Sequence, residues 1–485
     1  MLDASARGAR APFSLTSLQR ELLGGVLRRA LRRARRSGSP TLATISLALP
    51  REVDPTAIAC ASRRAGEPWF TFEQPERERR ALAGFGAAVA IESSGVRRFE
   101  DVAARWRALA ARGVEETQDG VRGGGPVAFG GFAFASEGGG APQWAGFAPA
   151  SLVVPQVLIE RCQREGVADA RMLLAALVSA DDDEESLLAR LCGRADELRL
   201  APLPLLDPAP AGTYRVASAM PPEHYEAAVQ RAVELIGAGE LEKIVLAREV
   251  HVHAPAAHDP AAIIAVLREE FPSCFCFCVG RGEATFLAAS PELLLRREGH
   301  RVSTLALAGS IRRSADPAID AHLGEQLLRD PTYREEHAIV ARRIERLLRP
   351  HSIWVAAAPE PVIVRIANIQ HLATPIRAQM SNPLDALELA ALMHPTPAVG
   401  GEPRERAVPL IPALEGLDRG WYLGPVGWID GNGDGELCVA LRCALLRGTV
   451  ARCFAGGGIV RDSEPAAELA ETEVKLAALL PLLAG

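Results

Sequence analysis

The chain has 485 residues, of which 48% are hydrophobic and 24% charged, and its formal net charge is −6. This length can bury one large core or two to three ordinary ones. The mild acidity argues against a general nucleic-acid binder, and no apolar run approaches the roughly 20 residues of a membrane span. Nine cysteines without a framework spacing indicate free thiols in a reducing cytosol, so we expect a cytoplasmic protein without stable membrane insertion.

The first 38 residues are predicted to be an extension that contains one helix, at 15–36. The second half of this helix carries a dense run of arginines from Arg28 to Arg36. Such runs occur in organelle transit segments and in patches that bind membranes or nucleic acids. Because Asp3 and Glu21 dilute the transit pattern, a solvated helix face is favoured.

The glycine-rich run at 121–134 invites comparison with a dinucleotide-binding loop. No strand–GxGxxG–helix unit surrounds it, and Pro126 and Phe129 suit a strand packed closely against another backbone. We therefore reject the dinucleotide site. Other elements predicted in this half are strands at 44–49, 69–72 and 151–159, the last at a sheet edge, and a helix at 99–112.

A stretch rich in proline and alanine at 200–212 is the predicted boundary between an N-terminal part, 1–212, and a catalytic part, 213–485. Hydrophobic periodicity predicts the following helices and strands in the second part. The helices are 222–237, 260–271, 332–348 and 383–392; the strands are 242–250, 274–278, 285–288, 293–297, 302–307, 362–366, 426–430, 437–446 and 449–455.

Within 274–278, cysteines alternate with Phe275 and Phe277, which places thiols and rings on opposite faces of a strand. Strands outnumber crossover helices and follow one another in hairpin-like runs. The predicted fold class is therefore α+β, with large antiparallel sheets packed face to face and helices outside.

The C-terminal segment combines groups that suit an acidic substrate carried by Mg²⁺. Glu468, Glu471 and Lys475 share one face of a predicted helix. The preceding glycines, 456–458, are predicted to form a turn whose N–H groups bind an anion. Taken alone, the helix pattern is better explained by a solvated surface helix with an ordinary Glu–Lys pair; the magnesium site is favoured only because other segments indicate the same chemistry.

Two earlier residues are candidates for acid–base chemistry. Lys243 precedes a buried run, and a desolvated lysine can act as a base, although a lysine at a strand edge is an equal alternative. Glu292 follows a proline at the entry to an apolar strand, where a carboxyl tends to stay protonated and can serve as a general acid. An ordinary turn residue is the alternative.

Residues 335–337 lie on the predicted helix 332–348, and one of the two glutamates there could share a cation with Glu471. His337 suggests zinc, but no HExxH spacing accompanies it, and oxygen ligands favour Mg²⁺. The Asp–Gly–Asn–Gly–Asp–Gly run at 430–435 resembles an EF-hand loop. Its twelfth position is Leu441, so we predict a β-turn.

Eight motifs occur in an order that resembles the chorismate-utilising enzymes, which are the isochorismate, salicylate, anthranilate and aminodeoxychorismate synthases. The resemblance is strong over about 215–482 and weak over about 40–200. The motifs are Lys243-Ile-Val-Leu-Ala-Arg248, Ser290-Pro-Glu-Leu293, Leu307-Ala-Gly-Ser310, Gln370-His-Leu-Ala-Thr374, His394-Pro-Thr-Pro-Ala-Val-Gly-Gly401, Tyr422-Leu-Gly-Pro-Val-Gly427, Leu441-Arg-Cys443 and Glu468-x-x-Glu471-x-x-x-Lys475.

The resemblance implies the family's fold, with an active-site cleft in the C-terminal part, and a Mg²⁺-dependent isochorismate synthase. Lys243 stands where anthranilate synthases usually carry glutamine, and 394–401 is closer to isochorismate synthases. The product would feed menaquinone or siderophore synthesis. The main alternative is salicylate synthase, which also eliminates pyruvate; anthranilate or aminodeoxychorismate synthase component I and a non-catalytic binding protein are less favoured. We expect a monomer that needs no glutamine amidotransferase subunit.

The resemblance also implies residue roles. Lys243 would deprotonate the water that attacks C2 of chorismate, and Glu292 would protonate the departing C4 hydroxyl from the other face. Glu336 and Glu471 would hold Mg²⁺, with Glu468 adjacent. The substrate would contact Ala308, Gly309, Ser310, His371, Tyr422, Arg442, Gly456, Gly458 and Lys475.

This chain departs from the family pattern at two places. The segment before the first metal glutamate is Thr332-Tyr-Arg-Glu-Glu336 rather than the frequent Lys-Asp-Arg-x-Glu, so Glu335 and Glu336 are both candidates for that ligand. Glu473 stands where the family commonly has glycine.

Overall fold

A computed structural model describes residues 12–121, 123–164, 167–207, 210–366 and 368–484, so residues 1–11 of the predicted extension lie outside the described part. The strands of the described residues, in chain order, are β1 Thr41–Ala48, β2 Trp69–Gln74, β3 Arg80–Phe85, β4 Val89–Ser93, β5 Val114–Thr117, β6 Val127–Phe132, β7 Ala150–Val154, β8 Val157–Arg164, β9 Val167–Val178, β10 Arg215–Ser218, β11 Lys243–His253, β12 Phe275–Arg281, β13 Ala284–Ser290, β14 Leu293–Glu298, β15 Arg301–Arg312, β16 Ser352–Ala357, β17 Val362–Ile366, β18 Ile369–Met380, β19 Gly401–Glu402, β20 Pro425–Asp430, β21 Gly435–Val439, β22 Cys443–Arg447 and β23 Val450–Ile459. The α-helices are α1 Ser17–Ser37, α2 Pro55–Ser62, α3 Arg98–Ala111, α4 Glu184–Asp196, α5 Pro222–Gly237, α6 Pro260–Glu270, α7 Pro317–Arg329, α8 Pro331–Leu348, α9 Ala386–Met393, α10 Arg404–Glu415, α11 Pro465–Leu476 and α12 Leu480–Ala484.

The strands form two large sheets. The larger, with 13 strands among the described residues, runs β10-β11-β23-β22-β13-β12-β2-β3-β8-β9-β1-β5, with β19 also paired to β11. The smaller, with ten, runs β16-β18-β15-β14-β21-β20-β6-β7-β4, with β17 also paired to β18. Neighbours are antiparallel except β1 and β5. Strands from both sides of residue 212 pair within each sheet, as β2 does with β12 and β6 with β20.

The two sheets pack face to face over a shared apolar core. Phe70 of β2 stacks on Phe129 of β6, with ring centroids 4.0 Å apart. In β12 the phenyl rings of Phe275 and Phe277 belong to this inner cluster. The thiols of Cys276 and Cys278 belong instead to a second cluster between the larger sheet and α1, α2, α4 and α6. The predicted alternation along this strand and the predicted α+β sandwich are both confirmed.

Helix α1 packs its apolar face, including Leu23 and Leu27, against the outer cluster. Its start is fixed by a capping box, in which Thr16 and Gln19 satisfy each other's backbone N–H groups. Several of its arginines bond to residues of neighbouring elements, as Arg28 does with Glu184 of α4 at 2.7 Å. None of the helices in the described residues combines the length and apolarity required to cross a bilayer.

Two predicted strands are wrong, because each is two strands in different sheets. The strand at 151–159 is β7 and β8, separated at Pro155, and β7 lies between β6 and β4 rather than at an edge. The strand at 437–446 is β21 and β22, separated at Arg442, whose φ is +49°. Both breaks let the chain cross from the smaller sheet to the larger. The run at 430–435 forms the β20–β21 hairpin turn, as predicted.

Candidate active site

A cavity of about 610 Å³ opens between β15, α8, β23 and α11, and the described residues that line it all follow residue 212. Thirteen of the fourteen predicted site residues line it. They are Glu292, Ala308, Gly309, Ser310, Glu336, His371, Tyr422, Arg442, Gly456, Gly458, Glu468, Glu471 and Lys475. The fourteenth, Lys243, lies in the wall behind this lining.

Lys243 begins β11 and is fully buried. Its Nζ donates a hydrogen bond of 2.8 Å to Oε1 of Glu336, which does line the cavity. The pair lies against Gly458 of β23, where an added Cβ would come within 2.7 Å of Lys243 Cε. A larger residue at this position would force the ends of the Lys243 and Glu336 side chains to move.

Helix α8 decides between the two candidate glutamates. Asp330 caps its N-terminus by accepting the N–H of Thr332 at 2.8 Å, and Pro331 occupies its first turn. With this start, Glu336 lies on the cavity side and Glu335 is exposed. The geometry therefore favours Glu336 as the candidate ligand.

Glu292 lies between β13 and β14 with its carboxyl buried. Ser290 Oγ accepts the Glu292 N–H at 3.2 Å, and Glu292 O accepts the Val439 N–H at 3.0 Å. Burial raises the pKa of Glu292 to about 8, although the charge of Lys243 acts in the opposite direction. This carboxyl is therefore mostly protonated at neutral pH, as a general acid must be.

The pKa values of Glu468 and Glu471 on α11 are shifted in opposite directions. Burial, and then the negative charge of Glu471, raises the pKa of Glu468 to about 7, against a hydrogen bond from Ser463. Burial also disfavours ionised Glu471, but the charge and hydrogen bond of Lys475 and the hydroxyl of Ser310 lower its pKa below the ordinary value. Lys475 Nζ lies 2.6 Å from Glu471 Oε1, and Ser310 Oγ donates to the same atom at 2.7 Å.

No three His, Cys, Asp or Glu side chains within the described ranges are already gathered as a ready-made metal site. Two of the candidate carboxylates are instead engaged by lysines, Glu336 by Lys243 and Glu471 by Lys475. The donor set nevertheless fits Mg²⁺, which binds through one or two carboxylates and keeps several waters. Burial is the main cause of the raised pKa of Glu468, and the negative charges of Glu471 and Glu336 add to it; a cation would offset these two charges.

Arg442 adds a positive charge to the lining of the same cavity. Its Nη2 donates to Nε2 of His371 at 2.8 Å, whereas its buried Nη1 has no hydrogen-bond partner among the described residues. Burial and the charges of Arg442 and Lys475 lower the pKa of His371 well below its usual value, so the ring is a neutral acceptor. Arg442 lines the cavity, and a guanidinium in this position suits a ligand carboxylate.

The glycines at 456–458 are not the turn that the sequence predicted. They belong to β23 and pair with β11. The N–H groups of Val245 and Ala247, which lie opposite Gly458 and Gly456, point to acceptors outside β23. These are therefore non-hydrogen-bonded pairs of the ladder, and the two glycine N–H groups point away from β11. Because β22 pairs with β23 only as far as Phe454, this edge is open toward the cavity.

Some lining residues were missed by the sequence reasoning. Tyr333 lies one turn before Glu336 on α8, so its helical spacing could have indicated it. Leu323 belongs to α7, a helix that was not predicted. The predicted Tyr422 stacks on Phe454, with centroids 5.1 Å apart.

The sequence profile of a family described as "Chorismate binding enzyme" matches residues 29–484. The chain belongs to the chorismate-binding enzymes. The resemblance inferred from the eight motifs is thereby confirmed. A relative from Pseudomonas aeruginosa, named "Salicylate biosynthesis isochorismate synthase", is 37% identical over 466 residues, which cover 96% of this chain and 94% of that protein.

Two further comparisons extend over nearly the whole of this chorismate-binding enzyme. Isochorismate synthase MenF of Bacillus subtilis is 31% identical over 97% of this chain and 99% of its own length. The solved menaquinone-specific isochorismate synthase of Escherichia coli superposes with a TM-score of 0.77 at 27% identity, covering 94% of this chain and all of that one. The likeness confirms the predicted fold, and the names of these relatives confirm that the chain is an enzyme.

Proposed function

We propose that this chorismate-binding enzyme is an isochorismate synthase, which converts chorismate to isochorismate. The observation that carries the proposal is the position of a buried, protonated Glu292 on the same cavity whose wall contains the Lys243 amine. One group can give a proton while the other takes one, which exchange of a ring hydroxyl for water requires. The names of the two full-length relatives support the same activity.

In the proposed reaction, Lys243 accepts a proton from the water whose oxygen forms a bond to C2 of chorismate. The ring double bonds shift, the C4–O bond breaks, and the departing hydroxyl takes the proton of Glu292. Lys243 gains the proton that the attacking water loses, and Glu292 gives the proton with which the C4 hydroxyl leaves as water. Atoms and charge therefore balance. For this chemistry the amine must be neutral when water arrives.

We further propose that Glu336, Glu471 and Glu468 hold Mg²⁺. When bound, this ion would offset the charge of a substrate carboxylate and fix its orientation. The remaining negative charge of the substrate would meet Arg442 Nη1, Lys475 and the outward N–H groups of Gly456 and Gly458. This division suits a dianion, since each carboxylate has a separate set of partners.

We also propose that a single chain suffices and uses water rather than ammonia. Purified protein with chorismate and Mg²⁺ is expected to form isochorismate, with no product change when glutamine or ammonium is added. Salicylate together with pyruvate would instead identify a salicylate synthase, and an aminated ring would identify the amine-transferring branch. The product would enter menaquinone or siderophore synthesis.

A further inference from the structure

We propose that Arg248 is a positioning residue that fixes α11 on β11 from outside the cavity. The inference rests on the proposed function, because α11 carries Glu468, Glu471 and Lys475. Arg248 Nη1 donates to Thr472 Oγ1 at 3.2 Å and also to Glu473 Oε1, and Nη2 donates to Ser218 Oγ at 3.1 Å. One guanidinium thus joins α11, β11 and β10.

Arg248 does not belong to the described residues that line the cavity. Val245 lines the cavity, and Arg248 is three residues further along the same strand. The pairing of β11 with β23 is continuous through this segment, so side chains alternate regularly and Arg248 points to the other face. That face carries Val250 and Val252 of the outer apolar cluster. It also carries Leu246 opposite Gly457, where an added Cβ would come within 2.6 Å of Glu468 Oε2, so α11 lies over this face. We expect Arg248 to affect the reaction through the position of α11.

The contacts of Arg248 with Thr472 and Glu473, here called the clamp, add to other bonds that hold α11, such as that from Asn368 Nδ2 to Val474 O at 2.7 Å. Thr472 is fully buried and lies directly after Glu471, so holding Thr472 also sets the direction of the Glu471 side chain. The Arg248 side chain is 9% exposed, whereas that of Glu473 is 59% exposed. An exposed pair alone contributes little, but a guanidinium that is buried and bound to three groups has a defined orientation. A shift of about 1 Å at a site of this kind can cost about 100-fold in rate.

The test compares Arg248→Gln, Arg248→Lys and Glu473→Gln with Glu234→Gln, a control that removes one partner of the exposed Arg231–Glu234 pair on α5. We expect Arg248→Gln to raise the Mg²⁺ concentration for half-maximal activity about 10-fold, in the range of lost outer-shell contacts. Glu473→Gln should raise this Mg²⁺ concentration by a smaller factor. Arg248→Lys should raise it less than Arg248→Gln does, because the lysine keeps the positive charge. The variant that combines Arg248→Gln with Glu473→Gln should need no more Mg²⁺ for half-maximal activity than Arg248→Gln alone. Both changes break the same contact between Arg248 and Glu473, so their effects should not add.

A second measurement needs neither metal nor substrate. Amide hydrogen exchange of residues 465–476 in the metal-free protein should be faster in Arg248→Gln than in the wild type or Glu234→Gln, with the core strands unchanged. Half-saturating Mg²⁺ within twofold of the wild type, unchanged exchange in α11, or faster exchange spread over the whole chain would each overturn the proposal. If the wild type forms no isochorismate, the proposed function fails, while the exchange measurement still decides whether the clamp exists.

Discussion

The Nζ atom of Lys243 lies 2.8 Å from Oε1 of Glu336, 93 residues further along the chain. The proposed base therefore contacts a proposed metal ligand directly. Since the lysine side chain is 1% exposed and the glutamate side chain 14%, the two groups satisfy each other's hydrogen bonding within a wall that excludes most water. In the proposed reaction, this one hydrogen bond would couple acid–base chemistry to cation binding.

Replacing Lys243 by alanine removes the proposed base and leaves Glu336 without its amine. We expect turnover to fall by about 100- to 10,000-fold, the usual contribution of a positioned acid or base. The rate of isochorismate formation measures this, and circular dichroism checks that the variant is folded. Turnover equal to the wild type would refute the assigned base.

Replacing Glu292 by glutamine keeps the shape of the side chain and removes its proton. Turnover should again fall by about 100-fold or more. In the wild type, kcat should decline as pH rises through about 8, because the Glu292 carboxyl then loses its proton. A wild-type rate that stays constant from about pH 7 to pH 9.5 would contradict the role of this residue.

The same carboxyl predicts how stability depends on pH. Its folded-state pKa of about 8 lies above the ordinary 4.5, so its contribution is fully present below about pH 4.5 and is lost progressively as pH rises toward 8. Glu292→Gln should therefore become more stable relative to the wild type over this window, by a few kcal/mol at most. Urea unfolding at several pH values measures the difference. A difference independent of pH would show that the carboxyl is not held protonated.

Arg442 is expected to act through substrate binding. Loss of its unpartnered Nη1 donor in Arg442→Gln should raise KM for chorismate by about 10- to 100-fold, in line with 1.5–3 kcal/mol for a hydrogen bond to a charged group. Arg442→Lys should recover little, because the Nη2 bond to His371 fixes the direction of Nη1. A change confined to kcat would contradict a binding role.

Gly458→Ala tests the packing that places the Lys243–Glu336 pair. The added Cβ would come within 2.7 Å of Lys243 Cε, so we expect activity to fall about 100-fold, while the strand pairing of β23 remains. Gly193→Ala on α4 is the matched control, because its Cβ would meet nothing within 4 Å. Equal activity of the two variants would show that the space at Gly458 is not required.

Much of this site could be predicted from local patterns. The spacing of Glu468, Glu471 and Lys475 placed all three on one helix face, and all three line the cavity. The opposite faces of Cys276 and Phe277 could also be predicted, because side chains alternate along any strand whatever it pairs with.

The errors occurred where distant segments decide the local structure. Glycines 456–458 look like a turn, but β11 pairs with them and makes them a strand. The breaks at Pro155 and Arg442 depend on which sheet each half joins, which no short window contains. Helix α10 was missed because Pro409 and Pro412 lie inside it.

The central claim is that solvent water supplies the new hydroxyl at C2. Chorismate turned over with Mg²⁺ in water enriched in oxygen-18 should give isochorismate that carries one heavy oxygen, at C2, detectable by mass spectrometry. Isochorismate without heavy oxygen would show that the hydroxyl migrates within the substrate, and would contradict the pairing of Lys243 as base with Glu292 as acid.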